Sequence, residues 1–215
     1  MNEKLKELMQ VIDKNFVLIH KILDAKTLSL DDDYTKINHT YYTMFCSHYE
    51  SFFILINNKY FSSAILLLRT MLELYVKSFY LQFIEKEKNT KILDFLDDKK
   101  QFPKFFDMVK ELEQHTDKSG AKFNGVFQQF TKSKLASYEK FSLFSHGKGE
   151  YLRASFIHNK LSYTSQQILD VVRTAKGLFE TFSLLIFYIQ GFHDDIKDVI
   201  NKLQKYYNKT LERNS

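Results

Sequence analysis

Apolar residues recur at steps of three and four along most of the chain, which is the spacing of amphipathic α-helices. Polar stretches separate these runs, and a content of only one proline and six glycines is typical of long helices joined by few turns. The predicted helices cover about residues 2–25, 34–58, 61–88, 103–115, 126–144, 165–190 and 194–212, with a short helix or loop at 90–101 and a short helical turn and loop at 153–163.

The third predicted helix, at about 61–88, is apolar on nearly all of its faces and ends in the charged residues 85–89. A helix without a polar face lies at the centre of a bundle, so we place this helix in the core and its charged end in solvent. No repeat, low-complexity tract or linker divides the sequence. We therefore predict an all-α, single-domain helical bundle of about six to seven helices over residues 1–215, with the last helix, at about 194–212, on its periphery.

The single cysteine and the absence of a long apolar run indicate the compartment. Cys46 has no second cysteine with which to form an intrachain disulfide, which fits a reducing environment. The N-terminal residues are charged and amphipathic, unlike a signal peptide. The longest apolar runs are interrupted by Arg69, Glu73 and Glu180, so none reaches the length of a membrane span. We expect a cytoplasmic protein without membrane contact.

The net charge and the sequence motifs exclude some classes of function and permit others. The formal net charge is +5 and the pI is about 9.0, which permits contact with nucleic acid. Lysine makes up nearly all of this positive charge, so a general bias of composition is the alternative explanation. The sequence contains no CxxC, HExxH, GxGxxG or Walker A motif, and we expect neither a metal ion nor a cofactor.

Arg69 and Glu73 are the first polar anomaly, because they interrupt the most apolar predicted helix. Residues four apart share a helix face, so the two side chains are expected to pair. Ions in an apolar interior are costly unless they are paired, so we expect this pair to be buried. It is either a structural pair that fixes helix register or part of a polar pocket inside the bundle.

A second anomaly ends the predicted helix at 126–144. Tyr138, Ser142 and either Ser145 or His146 lie at steps of three or four, so their polar ends can line one helical face. His146 stands where the helix dipole favours an imidazolium, followed by a glycine stop. We call Ser145, His146 and Gly147 the Ser-His-Gly corner. It is either a C-terminal cap held by a histidine or an alternative catalytic site.

Arg153 and His158 form the third candidate site, with four residues between them. In ribonucleases without a metal ion, an arginine can neutralise the phosphate while a histidine transfers the proton of the 2′-hydroxyl or of the leaving group. The chain has seven histidines, so this spacing also arises by chance in roughly a third of similar sequences.

The order of these motifs resembles that of known families. Arg69-x3-Glu73 on an apolar helix, followed by Ser145-His146-Gly147, resembles a set of uncharacterised bacterial helical-bundle families over about residues 40–190. Their pattern reads Leu-x-Arg-x-x-x-Glu followed by Ser-His-Gly-Gly, whereas here Lys148 separates the two glycines. Those families are similar to the HEPN (higher eukaryotes and prokaryotes nucleotide-binding) bundles, which include dimeric ribonuclease toxins and phage-defence effectors.

The resemblance implies a HEPN-like protein of bacterial defence or toxin–antitoxin systems, acting as a homodimeric, metal-independent ribonuclease on RNA. It implies Arg153 as the phosphate ligand and His158 as the acid and base, although Ala154 stands where the family signature often has Asn, Asp or His. The alternative is a non-catalytic binding module, such as an antitoxin, sensor or assembly subunit with a cognate protein partner. A third interpretation, a small-molecule-binding bundle, depends on Arg69 and Glu73 alone.

Overall fold

The computed structural model describes residues 3–116, 120, 122–129, 156–157 and 163–212, with side chains up to residue 204. Within these ranges the regular secondary structure is helical, and the one β-contact is an isolated antiparallel bridge between Thr116 and Lys122. The predicted all-α class is therefore confirmed. The α-helices of the described ranges are α1 (Glu3–Asp24), α2 (Asp33–Asn57), α3 (Phe61–Tyr80), α4 (Ile92–Leu96), α5 (Phe105–Gln114), α6 (Ser165–Ile189) and α7 (His193–Glu212).

Local side-chain chemistry explains where the long helices begin and end. Asp32 caps α2, because one of its carboxylate oxygens accepts two backbone N–H groups of the first turn at 3.0 and 3.1 Å. Thr164 and Gln167 form a capping box at the start of α6, with reciprocal bonds of 3.2 and 2.8 Å. Gly191 follows α6 with a φ of +72°, a left-handed conformation that glycine adopts without strain.

The third helix lies at the centre of the bundle, as its composition predicts. α3 packs against α2, α5 and α6, and its residues Leu68, Met71 and Tyr75 are fully buried. One cluster of buried apolar side chains includes residues from α1, α2, α3, α5, α6 and α7. Because these helices share that cluster, polar groups between them are shielded from water and must find partners within the protein.

The end of the central helix differs from the prediction. The α-helix stops at Tyr80, and a single π-helical turn, Leu81–Glu85, continues it. The expectation that the whole charged end lies in solvent is wrong for Glu85, which is only 1% exposed, whereas residues 86–89 are exposed. The physical reason is that this carboxylate has cationic and hydroxyl partners in the chain that follows it, so it can be buried with its charge neutralised.

The remaining predicted elements are only partly described. The short helix or loop at 90–101 contains α4, and the predicted helix from 103 corresponds to α5. Of the predicted helix at 126–144, residues 126–127 form a turn and 128–129 are helical, and the rest lies outside the described residues. Residues 156–157 of the predicted short turn are helical. None of the described helices is long and apolar enough to cross a bilayer.

Candidate functional site

Arg69 and Glu73 form the ion pair that their spacing predicts. Arg69 Nε lies 3.3 Å from Glu73 Oε1, and the side chains of Arg69 and Glu73 are 19% and 34% exposed. The pairing is thus confirmed, but the pair lies at the edge of the core rather than deep inside it. Water reaches both groups in part, which lowers the cost of burying them and weakens their attraction.

The other predicted site residues lie outside the described residues: Tyr138 and Ser142, the Ser-His-Gly corner with Ser145 and His146, and Arg153 and His158 of the phosphate-binding pair. The structure does describe Phe156 and Ile157, which stand between the members of that pair. Both are helical, and they are 85% and 57% exposed. The segment that contains the predicted catalytic pair therefore presents two adjacent apolar side chains at the surface.

A buried carboxylate network, which the sequence did not reveal, lies at the π-helical turn after α3. Glu85 Oε2 accepts hydrogen bonds from Thr90 Oγ1, at 2.6 Å, and from Lys100 Nζ, while Glu85 Oε1 accepts from Lys88 Nζ at 3.2 Å. We call these four residues the Glu85 cluster. Burial alone would raise the pKa of Glu85, but the hydrogen bonds from Lys100, Thr90 and Lys88 outweigh it and hold the pKa below its ordinary value.

The Glu85 cluster continues to α5 through Lys88. Lys88 Nζ lies 3.3 Å from Glu111 Oε2, and the Tyr80 hydroxyl donates to the same oxygen at 2.9 Å. Burial, followed by the hydrogen bond to Glu111, raises the pKa of Tyr80 above its ordinary value, so this phenol stays protonated at neutral pH. The cluster thus ties the end of α3 to α5 and to the loop around Lys100, with each charge paired, which indicates a structural role.

A second polar region lies between α2 and α6. The hydroxyl of Tyr42 is 2.8 Å from Ser183 Oγ, and Ser183 Oγ donates to the backbone carbonyl of Phe179 at 2.7 Å. The hydroxyl of Ser183 has one hydrogen, so Tyr42 must be the donor in the first bond. Cys46 lies one turn along α2 from Tyr42, and burial raises the pKa of its thiol to about 12. This thiol is protonated at neutral pH and is a poor nucleophile.

Polar groups also lie between α1 and α6. Asn15 Nδ2 donates to Glu180 Oε1 at 2.5 Å, and Lys176 pairs with the same carboxylate at 2.8 Å. The hydroxyl of Tyr49 and Asn15 Oδ1 are buried, and neither has a hydrogen-bond partner among the described residues. Burial, together with the charge of Glu180, raises the pKa of Tyr49 well above its ordinary value.

A cavity of about 180 Å³ opens between α1, α2 and α6, and we call it the interhelical cavity. Its apolar walls are Leu23, Leu28 and Ile186. Tyr42 and Cys46 also line it. Its remaining polar lining residues are His20 and Asp24 on α1 and His39 and Thr43 on α2. The cavity brings two imidazoles, a carboxylate and a hydroxyl from two helices to one concave apolar surface.

The sequence patterns described above single out neither His39 nor His20. One signal was available for α2, because His39, Tyr42, Thr43 and Cys46 recur at steps of three and four and so share a face. The sequence gives no comparable indication for His20, because α1 and α2 come to line the same cavity only in the folded tertiary structure. Within the described ranges, no three His, Cys, Asp or Glu side chains come together as a metal-binding group.

Comparison with known proteins places the chain in a family without assigning it an activity. No curated protein matches the sequence, and no solved structure matches it. A family model described as "Family of unknown function (DUF6988)" matches residues 42–213, which include α2 through α7 apart from the start of α2. Since this match covers well over half of the sequence, the chain belongs to the DUF6988 family.

Proposed function

We propose that the chain is a HEPN-like protein of bacterial defence or toxin–antitoxin systems that acts as a dimeric, metal-independent endoribonuclease. In this proposal Arg153 holds a non-bridging oxygen pair of the scissile phosphate through its planar guanidinium. His158 takes the proton from the 2′-hydroxyl or gives one to the leaving 5′-oxygen, as the new 2′-oxygen–phosphorus bond forms and the phosphorus–5′-oxygen bond breaks. The net charge of +5 favours the approach of RNA.

The observation that carries this proposal is the exposure of Phe156 and Ile157, at 85% and 57%. Adjacent apolar side chains at a surface mark a contact with another molecule more often than isolated ones do. They stand between Arg153 and His158 in the chain, so a second copy that covered them would sit beside the proposed catalytic pair of each protomer. A two-fold interface of this kind would form one composite cleft from two copies of the same segment.

The decisive experiment measures cleavage of a fluorescent RNA by purified protein in excess EDTA. We expect cleavage to persist in EDTA, to be lost in His158→Ala, and to fall strongly in Arg153→Lys, because lysine lacks the two-pronged contact. His193→Ala is the matched control, since His193 is an exposed histidine at the start of α7 and should be dispensable. If His146→Ala abolishes cleavage and His158→Ala does not, the Ser-His-Gly corner is the active site instead.

The alternative is a non-catalytic binding module with a cognate protein partner. The pairing of Arg69 with Glu73, at 3.3 Å, supports it, because an arginine that contacts its own helix neighbour fits an architectural role. Absence of RNA cleavage under every condition above, combined with tight binding of a co-encoded protein, would favour the module over the ribonuclease.

A further inference from the structure

The interhelical cavity has the dimensions of a site for one small ring. Its volume is about 180 Å³, and apolar cavities of about 150 Å³ accommodate a benzene molecule. Leu23, Leu28 and Ile186 supply apolar walls for such a ring. The cavity can therefore hold a six-membered ring with one or two additional atoms.

The hydrogen bonds around the cavity decide which polar group the ring should carry. Thr43 Oγ1 donates its hydrogen to the carbonyl of His39 at 3.0 Å, and Tyr42 donates its own to Ser183. His20 Nδ1 lies 3.0 Å from the carbonyl of Phe16, and a carbonyl only accepts, so the proton of a neutral His20 is on Nδ1. Thr43, Tyr42 and His20 are left with acceptor atoms, namely two hydroxyl oxygens and His20 Nε2, whereas the imidazole of His39 has both a donor and an acceptor when it is neutral. A ligand that donates hydrogen bonds is thus favoured over one that accepts them.

The electrostatics of the cavity favour a positive charge on that donor. Asp24 is the one formally charged residue among the described residues that line the cavity, and it ends α1. The carbonyl end of a helix carries a partial negative charge, which adds to that of the carboxylate. The nearest lysine after α1, Lys26, is paired with Asp195 on α7 at 2.8 Å and is thereby drawn toward another carboxylate.

We propose that the interhelical cavity binds a small single-ring amine, with the ring between Leu23, Leu28 and Ile186 and the ammonium group near Asp24. The interaction is non-covalent, because the protonated Cys46 thiol provides polarizable surface rather than a nucleophile. This site uses α1, α2 and α6 and none of the residues proposed for RNA cleavage. The two proposals are therefore independent of each other.

Isothermal titration calorimetry with three probes of equal ring size tests the proposal at neutral pH: benzylamine, benzyl alcohol and benzoate. We expect benzylamine to bind most tightly, at least about tenfold more tightly than benzoate, because the carboxylate of benzoate would meet the like charge of Asp24. Equal affinities for benzylamine and benzoate, or no binding of any probe at millimolar concentrations, would overturn the proposal.

Two variants locate the site. Asp24→Asn should weaken benzylamine roughly twofold to fivefold, as expected for an exposed carboxylate, and leave benzyl alcohol nearly unchanged, since only the charge is removed. Asp13→Asn is its control, because Asp13 is an exposed carboxylate on α1 that does not line the cavity. Thr43→Phe, at an exposed position on α2, should fill the cavity and abolish binding of benzylamine, with circular dichroism verifying the fold. Binding that survives in a folded Thr43→Phe variant, or that is unaffected by Asp24→Asn, contradicts the assignment.

Discussion

The hydroxyl of Tyr42 on α2 donates a hydrogen bond to Ser183 Oγ on α6, across 2.8 Å of the bundle interior. Tyr42 is only 5% exposed and Ser183 is fully buried, so this hydrogen bond is largely shielded from bulk water. Burial raises the pKa of Tyr42 well above its ordinary value, which keeps the donor proton in place at any physiological pH. This bond therefore both joins two helices and fixes one wall of the interhelical cavity.

Removing the Tyr42 hydroxyl should destabilise the protein. We expect Tyr42→Phe to lower the free energy of unfolding by about 1 kcal/mol, because Ser183 keeps its bond to Phe179 but loses its buried donor. Urea denaturation measures the change. Tyr41→Phe is the control, since Tyr41 is only half-buried and makes no hydrogen bond within the described residues. Equal losses in the two variants would show that ring packing, not the hydrogen bond, determines the effect.

The buried Glu85 should make stability depend on pH. Its pKa is lowered in the folded state, so its contribution is complete above the unfolded-state pKa of about 4.3 and is lost as the pH falls through the lower folded-state value. Glu85→Gln should cost about 2 kcal/mol near pH 7, because charge-assisted bonds to Lys88 and Lys100 are weakened. The difference between the wild-type and variant proteins should then shrink between about pH 5 and pH 3.

Denaturation series at several pH values test this dependence. Glu50→Gln serves as the control, because Glu50 is exposed on α2 and should change stability little at any pH. A constant difference between wild-type and Glu85→Gln across the acid range would mean that Glu85 does not titrate as its partners imply.

The partial exposure of Arg69 and Glu73 limits what their removal can cost. A deeply buried pair would lose about 3 kcal/mol when one partner is deleted, because the other charge would be stranded. At 19% and 34% exposure, water can solvate the remaining arginine, and we expect about 1 kcal/mol for Glu73→Ala. Asp198→Ala, in the exposed pair with Lys202 at 2.5 Å, should change stability little. A loss from Glu73→Ala as large as that of a deeply buried pair would place Arg69 in a drier environment than the geometry indicates.

Local rules predicted the helices and the Arg69–Glu73 pair, because each depends on residues within one or two turns of one another. The capping box of Thr164 and Gln167 is of this kind. The burial of Glu85 could not be predicted, since its partner Lys100 lies 15 residues away and reaches it only after the chain has turned. The interhelical cavity depends likewise on the approach of His20 to His39 from separate helices.

Phe156 and Ile157 are adjacent exposed apolar residues inside the proposed catalytic motif. If a second copy of the chain covers Phe156 and Ile157, then replacing both with serine should shift the protein from dimer to monomer in sedimentation equilibrium. Their high exposure means that the substitution removes little from the core of one protomer, so thermal unfolding of the monomer should remain cooperative. RNA cleavage should fall with dimer content, because each composite cleft would need both copies. Ile54→Ser is the matched control, since Ile54 on α2 is also 62% exposed but lies far from the motif in sequence. A double variant that remains dimeric and active would show that Phe156 and Ile157 face solvent and that the dimer, where one forms, uses another surface.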